Sequence, residues 1–285
     1  MSTTLDGAAK QTPFGREQRA LDGKRVINYW KDGHVGFVEM DDPPANTYTH
    51  EMMRQLDEAI LDARFDPDVE VIVLTGKGEK FFSAGANIGM LNQVSPEFKY
   101  MFCLHANETL SRLEQTPKLV IAALNGHCVG GGLEIAMAAD LRIARKDAGK
   151  IGLPEVALGV LPGTGGTQRL ARLVGKSRSI EMMVTGKTVS FEQAMEWGML
   201  TDLFEGNASE FREQITNYAK QFCSPNKAPM AVGHIKRSVQ TGAELPLQDA
   251  LALERELQSL LFKSEDAKEG LAAYNEKRVA RFKNK

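Results

Sequence analysis

Residues 119–140, LVIAALNGHCVGGGLEIAMAAD, decide how this chain is read. The first six are apolar without alternation, which suits a β-strand covered on both faces rather than one with a wet side. A helix is expected to follow, from about residue 131 to 139, entered through Gly130-Gly131-Gly132. A strand that feeds a helix through three glycines presents free backbone N–H groups together with the positive end of the helix. It also carries a carboxylate, Glu134, in the first turn of an otherwise apolar helix.

The same strand-then-helix alternation extends outward in both directions. Residues 69–75 (VEVIVLT) read as another buried strand, preceded by a helix over about 47–63, where Met52, Met53, Leu56, Ile60 and Leu61 recur at helical spacing. Two short β-rich runs, 25–30 and 34–40, flank Lys31-Asp32-Gly33 and predict a hairpin. Residues 97–116 look helical and 141–144 look like a strand. Alternating strands and helices imply βαβ units and an α/β core. Beyond about residue 200 the pattern turns helical, over roughly 207–222, 228–239, 246–262 and 265–280. The expected division is therefore a polar, flexible N-terminal extension over 1–24, an α/β core over 25–204 and a helical region over 205–285.

Composition removes several classes of function. The net charge is −2, so the charge balance does not ask for nucleic acid or an acidic membrane surface. No apolar run approaches the length of a membrane span. Cys103, Cys128 and Cys223 are odd in number and widely spaced, which predicts neither disulfides nor zinc and suits a reducing compartment. The five histidines show no ligand spacing, so no metal is expected. The N-terminus lacks an apolar segment, and Asp6, Glu17 and Asp22 argue against a mitochondrial transit peptide, so the expectation is cytoplasmic. Gly175-Lys176-Ser177 and Gly186-Lys187-Thr188 imitate the end of a phosphate-binding loop, but Leu170 and Glu181 stand where that motif needs glycine.

The chemistry concentrates in two glycine-rich segments and two acids. The first segment is FSAGANI at 82–88 and the second is the run into Glu134. Small residues let a ligand approach the backbone, where free N–H groups can stabilise a developing oxyanion. Taken alone, these glycines could equally serve turns and tight packing. Glu134 and Glu155, the latter in GLPEVALG at 152–159, each sit among small and apolar neighbours. Either could be a helix N-terminal acid or half of an ion pair. Two acids beside two oxyanion candidates favour a catalytic reading, since charged groups are seldom buried without a partner or a task.

FSAGANI, NGHCVGGGLEIAMAAD, LPEVALGVLPGTGGTQRLARLVG (153–175) and EKRVARFK (276–283) stand in the order and spacing of one family. From about Arg25 to its end the chain resembles the crotonase, or enoyl-CoA hydratase/isomerase, family, and most resembles an enoyl-CoA hydratase. The resemblance implies a crotonase-like spiral of ββα repeats with a helical C-terminal trimerisation region. It implies that the N–H groups of Ala86 and Gly131 form an oxyanion hole for a thioester carbonyl. Glu134 and Glu155 match the two glutamates that add water across the C2=C3 bond of a trans-2-enoyl-CoA. Ala84, Lys80 and Lys277 match positions near coenzyme A, Lys277 reaching it from a neighbouring subunit. No cofactor is implied beyond the coenzyme A of the substrate, and the expected assembly is a homotrimer or homohexamer.

Departures from the family's pattern are Asn87 in place of an Asp, Gly89 in place of a Lys, His127 in place of a Tyr, and an extra residue around 147–150 that a loop is expected to absorb. A Δ3-Δ2-enoyl-CoA isomerase of the same fold is the nearest alternative; a non-catalytic acyl-CoA-binding or RNA-binding relative is another. The segment 90–101, with Phe98, Tyr100 and Phe102, is expected either to line an acyl pocket as a loop or to be ordinary core.

Overall fold

The computed structural model describes residues 24–285; the extension expected over 1–24 lies, Lys24 apart, outside them. The chain opens with the antiparallel hairpin β1 (Ile27–Asp32) and β2 (Val35–Met40), closed by Gly33 at φ +58°. Helix α1 (His50–Phe65) starts later than its periodicity suggests, because Thr49 is its N-cap and accepts from the Met52 N–H. Tyr48 therefore stands outside the helix.

Three ββα units follow. The first is β3 (Val71–Gly76), β4 (Phe81–Ser83), α2 (Ile88–Gln93) and α3 (Pro96–Glu114). The second is β5 (Leu119–Leu124), β6 (His127–Val129) and α4 (Gly131–Met137). The third is β7 (Leu141–Arg145), β8 (Lys150–Gly152), a 3-10 helix at Glu155–Leu158, α5 (Gly166–Val174) and α6 (Lys176–Thr185). The first strand of each unit joins a six-stranded sheet, β1-β2-β3-β5-β7-β10, and the second joins a four-stranded sheet, β4-β6-β8-β9. Strand β9 (Thr188–Ser190), α7 (Phe191–Glu196) and β10 (Asp202–Phe204) complete both sheets, and α8 (Ala208–Lys220), α9 (Pro229–Gly242), α10 (Leu247–Leu261) and α11 (Glu265–Glu276) end the chain.

The unbroken apolar runs have a direct cause. In β3, Ile72 and Leu74 face one core while Val71 and Val73 face another; in β5, Val120, Ala122 and Leu124 face the first and Leu119, Ile121 and Ala123 the second. The first core is filled by α1 and α3 through Met52, Met53, Leu56, Leu110 and Leu113. The second is covered by α8 through Phe211, Ile215 and Ala219. With side chains wet on neither face, alternation has nothing to encode, and each buried Leu or Ile contributes roughly 1.5–3 kcal/mol.

Two expectations change. The segment 90–101 is helical, from α2 into α3, not a loop, and its aromatics divide: Phe102 is buried, whereas Phe98 and Tyr100 are exposed. The four-stranded sheet has no counterpart in the sequence reading, because its strands are three residues long, too short to show a period. Residues 146–149 form the turn between β7 and β8, with Asp147 at φ +59°. His127 Nδ1 accepts the Lys150 N–H at 3.0 Å and so braces that turn. Among the described residues no helix is long and apolar enough to cross a membrane.

Candidate active site

The small sheet brings the two glycine-rich segments side by side. Strand β4 leads into Ala84-Gly85-Ala86 and β6 leads into Gly130-Gly131, and the two strands are parallel neighbours. A Cβ added to Gly85 would lie 2.8 Å from the Gly131 nitrogen, so the two backbones are in close contact here.

Tyr48 arranges the first of these donors. Its N–H donates to the Gly85 carbonyl at 2.9 Å and its own carbonyl accepts from the Asn87 N–H at 3.0 Å, forming a parallel bridge with Ala86. In such a bridge both bonds belong to one partner, so the Ala86 N–H points away from Tyr48. Within the described residues neither Ala86 N–H nor Gly131 N–H donates to a protein acceptor. The Asn87 side chain caps α2 by accepting from the Met90 N–H and donates to Thr47 Oγ1 at 3.2 Å. The amide thereby ties this loop to the segment holding Tyr48.

Gly130 and Gly131 are required by their surroundings. Gly130 has φ +56°, and a Cβ there would lie 2.9 Å from Glu155 Oε1. A Cβ on Gly131 would lie 2.1 Å from Tyr48 Cε1. The aromatic ring thus rests on Gly131, directly beside its N–H.

The two carboxyl groups approach from different elements. Glu134, on α4, is 2% exposed, and its Oε1 accepts N–H bonds from Thr164 and Gly166, each at 2.7 Å. Burial pushes its pKa up, while the two N–H donors and the Arg169 guanidinium pull it down. Arg169 is itself held by Glu114 at 2.7 Å and donates to the Thr164 carbonyl, which stabilises the loop before α5. Glu155 begins the 3-10 helix after β8. Burial pushes its pKa up from 4.5 to about 7, its own backbone N–H pulls it down, and the Glu134 charge pushes it further up. Its Oε2 is buried with no hydrogen-bond partner. Of the two, Glu155 is the one left free to hold a proton, because no neighbouring residue's N–H offsets the cost of charging it.

Chain comparison fits this geometry. Residues 31–285 match the enoyl-CoA hydratase/isomerase family. The chain belongs to that family. A short-chain-enoyl-CoA hydratase of Clostridium acetobutylicum is 36% identical over 259 residues, covering 90% of this chain and 97% of that one. The mitochondrial enoyl-CoA hydratase of Pongo abelii is 36% identical over 255 residues, covering 89% of this chain and 85% of that protein. The crystal structure of an enoyl-CoA hydratase from Geobacillus kaustophilus superposes with a TM-score of 0.88 at 46% identity, covering 92% of this chain and 98% of the other. The spiral of ββα units is the fold this enoyl-CoA hydratase/isomerase family member shares with it.

The remaining sequence-expected positions are spread more widely. Ala84 lies between β4 and Gly85, its carbonyl on the Glu155 side of Gly130. Lys80 is exposed in the turn before β4, with Nζ 5.6 Å from the centre of the Phe81 ring. Lys277 is exposed at the left-handed C-cap of α11, and no described contact links it to the acids. Sequence reading missed Tyr48, Thr164 and Gly166. The signal for Tyr48 was Thr49, an N-cap residue type that starts α1 about three residues later than the periodicity suggests and leaves the tyrosine outside it.

Proposed function

We propose that the protein is an enoyl-CoA hydratase in which Ala86, Gly131, Glu134 and Glu155 carry the reaction. The observation that supports this most is two unengaged N–H groups on neighbouring backbones near a buried and a half-buried carboxyl in unequal environments. The thioester carbonyl of a trans-2-enoyl-CoA accepts from Ala86 N–H and Gly131 N–H, which polarises the conjugated system and makes C3 electrophilic. A water between the acids loses a proton to Glu134 as its oxygen bonds to C3, and Glu155 delivers its proton to C2. The C2=C3 π bond and the O–H bonds of the water and of Glu155 break, the C3–O, C2–H and Glu134 O–H bonds form, the product is a 3-hydroxyacyl-CoA, and passage of a proton from Glu134 back to Glu155 restores the pair. Unequal carboxyls suit this division, one ionised as base and one protonated as acid; the two titrate as a pair. Coenzyme A enters with the substrate and no other cofactor is required. Lys80 and Ala84 belong to the coenzyme side of the site, joined by Lys277 from a neighbouring subunit.

Assembly as a homotrimer or homohexamer is part of this reading. Exposed Ile235, Val239, Leu260 and Phe262 on and just after α9 and α10 support it, since monomers rarely leave so much apolar surface wet. Light scattering on the purified protein checks the stoichiometry.

The activity is tested by the ultraviolet absorbance of crotonyl-CoA, followed with wild type, Glu134→Gln and Glu155→Gln. Loss of the conjugated band in wild type, slowed by about 100-fold or more in each variant, is expected. Near-native turnover in either variant removes that glutamate from the mechanism. No change in the band across four-carbon, branched and cyclic thioesters refutes the hydratase assignment.

A further inference from the structure

We propose that the ring of Tyr48 is the end wall of the acyl chamber and limits the enoyl group to short chains, an inference that rests on the hydratase reading. The ring lies against Gly131 so closely that a Cβ there would overlap it, so it borders the proposed carbonyl site. Burial above all, and then the nearby Glu134, Cys103 and Glu155, disfavours its ionised form, so the ring lies in the neighbourhood of both acids.

Nothing behind the ring yields. Tyr48 is 3% exposed, and Phe102 of α3, itself buried, meets it at 5.7 Å between ring centres. His50 packs edge-on to Phe102 at 6.2 Å, so a second layer of rings backs the first. The hydroxyl pins the ring at its far end through a 3.1 Å bond with Thr164 Oγ1. Backbone bonds to Gly85 and Asn87 fix the Cα end. A ring held at both ends is a wall that does not swing. An acyl chain running past C3 toward α3 meets it after few carbons.

The test compares kcat/KM for four-, six- and eight-carbon trans-2-enoyl-CoA esters in wild type, Tyr48→Phe and Tyr48→Leu. Wild type is expected to favour the four-carbon ester. Tyr48→Leu is expected to raise the eight-carbon rate relative to the four-carbon rate by about tenfold or more, the scale on which a hydrophobic pocket discriminates chain length. Tyr48→Phe keeps the ring and is expected to stay within about twofold of the wild-type ratio. An unchanged ratio in assembled Tyr48→Leu overturns the proposal, as does a shift in Tyr48→Phe as large as that in Tyr48→Leu. If Tyr48→Leu does not assemble, Tyr48→Met carries the same test. A wild type inactive on every ester refutes the hydratase reading and this inference with it; an active wild type with an unmoved ratio refutes this inference alone.

Discussion

Replacing Glu155 by Gln should make the protein less sensitive to alkaline pH. The folded state holds the Glu155 carboxyl with a pKa raised from 4.5 to about 7, chiefly by burial. Between those values the folded chain binds a proton that the unfolded chain has released, so stability falls as pH rises through the window. At about 1.4 kcal/mol per factor of ten in proton affinity, the full loss is about 3–4 kcal/mol before screening. Glu155 is only partly buried, and solvent screening reduces this to about 1–2 kcal/mol. Glu155→Gln keeps the shape and hydrogen-bonding capacity without the charge, so its stability should not show that fall. Urea unfolding at fixed protein concentration, at pH 5 and pH 8, measures the difference directly. The variant is expected to gain about 1–2 kcal/mol on wild type between the two conditions. Parallel pH profiles for the two proteins would refute the account of Glu155 as a carboxyl held protonated by its surroundings. The same raised pKa predicts that wild-type kcat/KM on crotonyl-CoA falls as pH rises above about 7.

Gly131→Ala places a Cβ 2.1 Å from Tyr48 Cε1, and a ring fixed at both ends cannot retreat. Steady-state turnover is expected to fall about 100-fold or more as the donor is displaced; wild-type turnover in a folded variant would sink the placement of the ring. Asn125→Ala removes a side chain that accepts from the Gly76 N–H and donates to the carbonyls of Gly78 and Phe81. These bonds shape the turn that carries Lys80; the Phe81 carbonyl keeps its bond from the Asn46 side chain, but the other losses should cost about 1–3 kcal/mol in urea unfolding.

What was legible in the sequence follows from how long each signal runs. β5 announces itself because its six consecutive positions are buried on alternating sides, β3 because its first four are, and α1 because its buried residues repeat over four turns. The four-stranded sheet is built from pieces of three residues, and it is that sheet which aligns the two oxyanion donors. Glu134 could be picked out as an acid in an apolar helix, but its partners Thr164 and Gly166 lie some 30 residues away in sequence, joined to it only by the return of the chain before α5. Tyr48 was hidden by one misplaced helix boundary. His127 showed only as an unusual neighbour of the glycine run, whereas its work, bracing the turn at Lys150, depends on a pairing between β6 and β8 that no local pattern encodes.

The donors proposed for the thioester carbonyl are main-chain N–H groups on loops braced by Tyr48 and Gly152. A side-chain scan is therefore blind to them: truncating Ala86 removes a methyl group and leaves its N–H in place. The outcome of the reaction, by contrast, is written in two carboxyls on separate elements, each anchored by its own loop. Substrate activation and reaction choice are thus inherited separately. A chain can drift widely in sequence while keeping the first, and can acquire a different reaction by exchanging residues 134 and 155 without rebuilding the frame that polarises the thioester.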